Sequence, residues 1–540
     1  MIQLADLLNK ISVTTDARLS NAQFEIQFRQ WKGFNFVFYW TADSLNLPIR
    51  IGDDWEQNTW MISSAMLENG LSWWQSWICV WIGNSIAACF VCLMGRIGAV
   101  YHIPFAVANR ASFGVWGSFW PVATRCAMAI IWYSVQKTPW KLTYSLLIEL
   151  EGECVTIMLE AIWSKYADVP NALPTKSGVT TKSFASFFLF WLLSLPALWI
   201  PVHKVRHLFT IKSIYSPAAA IGFVIWATNR AGGVGTVFKR PSTVHGGTLA
   251  WVIIKSIMQT LSNFTALIIN IPDFARYAKT PESALWTQLI TIPISFAITS
   301  LFGILLSTAS TAIYGQPMWN PLTLLHEFLK DASSAERLGV FLIALGLALA
   351  QLGTNVAANS VSGGTNMAAL LPRFINIRRG SYICAALSLA VCPSSHKSNE
   401  CIIVENNLFP AEFNIFLTAL STFLCPIIGV IISDYYLVRG GCLDVKELYS
   451  ARKSGPYYGI YGVSWRAYLA YILGISINIP DFAGIIGANV PSGAQRIYDV
   501  NFISGFIVSM GIYWILARIQ RAFSISDDLN RAQNNQICSV

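Results

Sequence analysis

The chain has 540 residues, 54% hydrophobic and only 12% charged, with a mean hydropathy of +0.49 and a net charge of +9. An ordinary soluble domain carries roughly a quarter charged residues, so this composition excludes a water-soluble fold and indicates an all-α membrane protein with many spans. The basic residues are scattered among the junctions between apolar runs and form no block, which favours topology determinants over a nucleic-acid partner.

A bilayer crossing takes about 20 mostly apolar residues. Spans are expected near 32–62, 73–95, 114–136, 184–202, 209–228, 248–271, 287–314, 337–371, 380–393, 414–438, 466–487 and 501–519, about 12 transmembrane helices in all. Residues 1–30 are expected to be an N-terminal cytosolic segment, 31–520 the membrane domain and 521–540 a C-terminal cytosolic tail. The first thirty residues include Asp6, Lys10, Asp16 and Arg18 without an apolar core, so no cleaved signal peptide is expected. Short connections after even-numbered spans hold Arg96 and Arg110, then Lys204, Arg206 and Lys212, then Arg276 and Lys279, then Arg373, Arg378 and Arg379. That bias places both termini in the cytoplasm.

Polar residues inside spans are costly and therefore informative. The first span is interrupted at YWTADSLN, which carries Asp43. The third ends IIWYSVQ, with Trp132 and Gln136 at i and i+4 on one face. That pair either stacks and hydrogen-bonds a planar ring, or is an interfacial tryptophan beside a helix-packing glutamine. In the sixth span Lys255 either snorkels to the surface or pairs inside the bundle. Asn263 and Phe264 follow, and then NIPDFARYAK, where Asn270, Pro272 and Asp273 suit a helix that breaks or ends against a cavity. The eighth span reads ALAQLGTNVAANSVSGGTNMAALLP: Gln351, Asn355 and Asn359 recur every four residues, Asn366 continues the track, and Gly353, Gly363 and Gly364 permit close helix approach. Such a stripe either lines a wet cavity or glues helices together. Interrupted first and sixth spans, five apart, predict a five-plus-five inverted repeat plus two additional helices, with a site at the midplane.

No phosphate loop, metal-ligand cluster or nucleophile elbow stands out, so neither an enzyme nor a cofactor is expected. Eleven cysteines are present, mostly within apolar runs; Cys89 and Cys92 form a lone CxxC, read as small packing residues.

The segments NIPDFARYAK, SFGVWGSFWPVATRCAMAIIWYSVQ, LAQLGTNVAANSVSGGTNM, LLPRFINIRRGSYICA, SDYYLVRGG, DVKELYSARKSGPYYG and WRAYLAYILGI together resemble the fungal uracil, allantoin and uridine permease branch of the nucleobase-cation symporter family, over most of 58–136, 151–393 and 414–519. The resemblance implies an inverted-repeat transporter of the LeuT type that imports a nucleobase or related ring, uracil foremost, with a proton, by alternating access, at the plasma membrane. It implies that Trp132 stacks the ring, that Gln136 and Asn359 read its edge with Asn355 beside them, that Phe264 is a second aromatic contact, and that Lys255 is tied to transport. Proton coupling requires a titratable group, for which Lys255 and Asp43 are the candidates; Asn366 stands where the family often has an aspartate. Allantoin, uridine or a vitamin-type ring are alternative substrates. Three insertions depart from the family, at 47–57, 137–150 and 394–413. They read as untrimmed introns or a gene-model error, with a non-transporting paralogue as the other outcome.

Overall fold

The computed structural model describes residues 28–45, 50–51, 55–56, 60, 63, 66–67, 69–135, 150–173, 180–233, 241–316, 318, 320–330, 332–391, 409–485 and 490–537. In chain order its main helices are α1 (Gly33–Ser44), α2 (Trp73–Tyr101), α3 (Phe119–Val135), α4 (Leu150–Ile162), α5 (Thr181–Trp199), α6 (Arg206–Arg230), α7 (Gly246–Asn263), α8 (Thr265–Ala275), α9 (Pro281–Tyr314), α10 (Pro321–Lys330), α11 (Ser334–Thr354), α12 (Ser362–Leu370), α13 (Ile377–Val391), α14 (Phe409–Ile432), α15 (Trp465–Ser476), α16 (Ile479–Ile485) and α17 (Asn501–Ile537). Within the first insertion, Arg50–Ile51 pairs antiparallel with Trp55–Glu56, and α14 begins inside the third. Residues 137–149 of the second lie outside the described residues.

Among the described residues, eight helical stretches are long and apolar enough to cross a bilayer. They correspond to the expected second, fourth to eighth, tenth and twelfth spans. The other four occur in pieces or are short. α1 stops at Ser44, at the interruption expected from YWTADSLN. α3 of the third span is described to Val135, and α4 follows from Leu150 after the undescribed residues as a helix not among the expected spans, packed against α5 and α11. α13 has 15 residues. The eleventh divides at Asn478, whose carboxamide donates to the Asn501 carbonyl (3.3 Å) and accepts from Ser504 Oγ (3.0 Å).

The chain forms two compact units, residues 1–104 with 122–417, and 105–121 with 418–540. In the first, α2 packs against α8 and α9. The approach requires glycine at 98, because a Cβ there would stand 2.6 Å from Pro272 Cα. Ahead of α1, Trp31 bonds the chain beyond α8 through its backbone, from its N–H to the Tyr277 carbonyl (2.9 Å) and from the Lys279 N–H to its own carbonyl (2.8 Å). Its indole is buried among Phe36, Tyr39, Phe209, Phe274 and Tyr277. Two cations expected in loops lie inside instead. Arg276 is buried, donating to the Asp273 carbonyl (3.2 Å) and Tyr277 Oη (3.2 Å), and Lys212 is buried within α6. The helical stretch containing α6 begins at Val202, seven residues before the expected boundary, which carries Lys212 away from the edge.

The second unit is organised on a buried carboxylate. Asp434 lies in a π-helical turn, Ser433–Val438, that ends the helix begun by α14. Its Oδ2 accepts from Ser112 Oγ (3.1 Å) and Arg439 Nε (2.8 Å), its Oδ1 from Tyr513 Oη (2.8 Å), and Arg439 Nη2 donates to the Ala111 carbonyl (3.0 Å). Asp434→Ala strands the arginine and is expected to cost about 3 kcal/mol, read as a lower melting temperature of the purified protein. Lys330→Ala, which breaks the exposed pair with Glu327, is expected to leave melting within the scatter of surface ion pairs.

Candidate functional site

The sixth span is broken, but not where its proline and aspartate suggested. α7 ends at Asn263, Phe264 forms the joint, and α8 runs on through Asn270, Pro272 and Asp273 to Ala275. Pro272 is tolerated inside α8 because the interruption has already occurred two turns earlier and because α2 packs its glycine against the proline backbone. Phe264 is buried, its ring 6.0 Å from Trp40 of α1 and 4.7 Å from Phe296 of α9. Trp40 is itself fixed by a bond from Nε1 to Gln288 Oε1 (3.0 Å). An aromatic wall therefore stands where the sixth span breaks, close to the end of the first.

The eighth span changes its winding at its carboxamides. α11 gives way to a π-helical segment, Asn355–Val361, before α12 resumes. Inserted π turns are rare and concentrate at functional sites, since they redirect side chains that a continuous α-helix would rotate away. Asn355 and Asn359 both lie in this segment, both are buried, and Asn359 Nδ2 donates to Asn355 Oδ1 (2.9 Å). Gln351 lies one turn earlier, also buried. The glycines that follow serve close packing: a Cβ on Gly364 would meet the Ile377 carbonyl at 2.5 Å, and Gly380 of α13 backs onto Gly364.

Beside these carboxamides sits a pair of opposite charges that joins three spans. Lys212 of α6 donates from Nζ to Thr354 Oγ1 (2.8 Å), the Thr354 hydroxyl donates to the Ala350 carbonyl (3.3 Å), and the Asp43 carboxyl of α1 is near enough to interact electrostatically with Lys212. Lys212, Thr354 and Asp43 are all buried. Gly353 makes room for the lysine, since a Cβ there would lie 2.6 Å from Lys212 Cδ. Lys212 was read from sequence as a topology determinant. The signal that could have exposed it is its place in IKSIYSPAAAIGFVIW, ahead of a long run with no further charge.

The remaining expected residues are spread. Trp132 belongs to α3, and Gln136 lies outside the described residues. Lys255 is on the exposed side of α7 next to Ile254, away from the buried residues of that helix. Asn366 is buried in α12. Cys89 is exposed, Cys92 Sγ donates to the Leu285 carbonyl (3.2 Å), and no cluster of metal-ligating side chains occurs among the described residues.

Comparison with known proteins gives this arrangement a context. A family model described as permease for cytosine/purines, uracil, thiamine and allantoin matches residues 25–505. The allantoin permease of Saccharomyces cerevisiae is 41% identical over 504 residues, covering 91% of this chain and 74% of its own length. The uracil permease of the same yeast is 40% identical over 502 residues, with the same two shares. Among solved structures, MHP1, a nucleobase-cation-symport-1 family transporter in a closed conformation with bromovinylhydantoin bound, superimposes with a TM-score of 0.69 at 19% identity, covering 94% of this chain and 96% of that one. At that identity the likeness establishes the fold, an all-α membrane architecture of the LeuT type.

Thr354→Val keeps the shape and removes the hydroxyl that accepts from Lys212. It is expected to destabilise the purified protein by about 1–3 kcal/mol, measured as a fall in melting temperature, whereas Thr311→Val, on a part-buried hydroxyl bonded only to its own helix at Ser307, changes it much less.

Proposed function

The chain belongs to the family of permeases for cytosine and purines, uracil, thiamine and allantoin, and from that premise we propose that it imports uracil or a closely related amide ring across the plasma membrane, coupled to a proton, with both termini in the cytoplasm. The observation that carries the reading is the π-helical segment Asn355–Val361, which holds two carboxamides buried at bilayer depth. Uracil is neutral and flat, and its edge alternates amide donors with carbonyl acceptors. A carboxamide offers the matching donor and acceptor, and an aromatic face covers the ring plane. In this reading Asn359 and Gln136 read the edge, Asn355 orients Asn359 through their mutual hydrogen bond, and Trp132 and Phe264 cover the two faces.

Coupling is proposed to use Asp43 and Lys212. A buried carboxylate and ammonium that interact electrostatically, the latter held by Thr354, form a unit in which a single proton decides whether the pair is ionic or neutral. α1 and α6 are joined through that unit to the start of the π segment, so a change in its charge is felt by the carboxamides next to it. Lys255, on the exposed side of α7, is not used in this reading. Alternating access then moves the elements around the broken α1 and α7–α8 helices relative to the π segment.

Allantoin presents the same alternation of N–H and C=O, and its permease is as similar to this chain as the uracil permease is. The test is uptake of labelled uracil by a transport-deficient host expressing the chain, with allantoin and uridine as competitors. Saturable uptake is expected, reduced about tenfold or more by Trp132→Ala or Asn359→Ala, the scale of one or two lost hydrogen bonds or stacking contacts. Lys212→Met is expected to abolish uracil-driven alkalinisation of the medium while leaving uracil binding by the purified protein. An unsubstituted chain that reaches the membrane and takes up none of the three rings rules the reading out.

A further inference from the structure

The ring contacts proposed on the third, sixth and eighth spans each have a polar counterpart about two helical turns away. On α3 it is Arg125, seven residues before Trp132; on α8 it is Asn270, six residues after Phe264; on α12 it is Asn366, seven residues after Asn359. Span three runs opposite to spans six and eight, so the three displacements share one direction, toward the end that carries Arg276 and Arg373.

Contacts bring the three together. A Cβ on Gly363 would stand 3.2 Å from Ala129 Cβ, so α3 and α12 touch there, and one turn further toward that end lie Arg125 on one helix and Asn366 on the other. Arg125 Nη2 donates to the Ala358 carbonyl of the π segment (3.3 Å), and its opposite charge is Asp273 of α8. α8 in turn packs against α12. Ile271 and Pro272 face Gly95 and Gly98 of α2, which leaves Asn270 and Asp273, three residues apart, on the other side of α8.

The polar atoms of this group are buried and unmatched. Arg125, Asn270 and Asn366 are at most 2% exposed. Both carboxamide atoms of Asn270, both of Asn366, and Nε and Nη1 of Arg125 have no hydrogen-bond partner. Six such atoms at one depth exceed what helix packing uses, and each calls for a partner that is present only part of the time.

The geometry points to a second docking station for the transported ring, formed by Arg125, Asn270 and Asn366, which the ring occupies after leaving Asn359 and before reaching the cytoplasm. This rests on the reading of the chain as an importer of a neutral amide ring. The guanidinium donates to ring carbonyl oxygens, and each carboxamide supplies one donor and one acceptor to an N–H/C=O edge. The Asp273 carboxyl offsets part of the charge of Arg125, which favours a neutral ring over an anion.

The test compares the two faces of the membrane with labelled uracil as probe, using influx into intact cells and transport by inside-out vesicles. Asn270→Val and Asn366→Val are expected to leave the external KM within about twofold and to raise half-saturation from the cytoplasmic face about fivefold or more, the factor one lost hydrogen bond carries. Asn366→Asp, which keeps the size and the acceptor while replacing the donor, is expected to recover part of that loss. If the valine variants do not fold, Asn270→Ala and Asn366→Ala carry the same comparison. Equal changes on both faces, or none on either, overturn the station while leaving the importer reading intact. Absence of transport by the unsubstituted chain removes the importer reading and the station with it.

Discussion

Inside a bilayer a polar group has only the protein to bond with, and the arrangement of this molecule follows from that constraint. Lys212 is the clearest case. A buried ammonium is sustainable because Thr354 accepts from it at 2.8 Å and Asp43 supplies the opposite charge, and Gly353 is required so that its stem can lie against the eighth span. Lys212 and Thr354 thereby tie the fifth and eighth spans at one point, with the Asp43 carboxyl of the first span electrostatically coupled to the lysine. The adjoining residue is Asn355, where the eighth span begins its π-helical winding. Charge pairing and carboxamide presentation are thus neighbours along one helix, which is a direct physical route for coupling one to the other.

The same constraint explains why irregular backbone is confined to a few places. α1 ends at Ser44, α7 and α8 meet at Phe264, and the π segment interrupts the eighth span; each lies among buried residues, where freed backbone groups meet protein rather than lipid. Phe264 sits against Trp40 and Phe296, so the joint is fixed by aromatic packing on both sides. The lipid-facing surfaces are by contrast regular and apolar, as Ile211, Ile214, Ile221 and Ile225 along α6 illustrate. Lys212, on the same helix, projects to the opposite side, and a single helix therefore meets lipid with one face and a charge network with the other.

Much of this was legible in the sequence because membrane spans announce themselves by length and composition. The stop after Asp43, the polar stripe of the eighth span and the break in the sixth were each visible as polar residues in apolar runs. Of the two outcomes expected at Asn270, Pro272 and Asp273, the helix ends there, at Ala275, while the break lies earlier at Phe264, where phenylalanine is a weaker local signal than proline and aspartate. Pro272 nevertheless stays helical, since α2 offers Gly98 as its packing surface, a tertiary fact that no local pattern contains. Lys212 escaped notice for a related reason. A lysine near the start of a span looks like a topology determinant until the helix is found to begin at Val202. The π winding left no signature at all: Gln351, Asn355 and Asn359 at four-residue spacing suit an α-helix equally well.

Buried polar side chains in this chain fall into two kinds, and the difference lies in how completely they are matched. Asp434 receives bonds from Ser112, Arg439 and Tyr513, with Arg439 further anchored on the Ala111 carbonyl, so its acceptor capacity is used by the protein itself and the network acts as a structural clamp. Asn270 and Asn366 are as deeply buried, yet neither carboxamide has a partner on either atom. Selection for stability alone would replace such residues by leucine or valine, because an apolar side chain of similar size removes the penalty at no structural loss. Their presence beside an arginine whose charge is partly offset is therefore explained by use rather than by packing. A transporter needs surfaces that hold its cargo briefly and release it, and incompletely matched amides grouped on neighbouring helices have that property, binding a ring when it passes and returning to an unsatisfied state that makes the next encounter favourable.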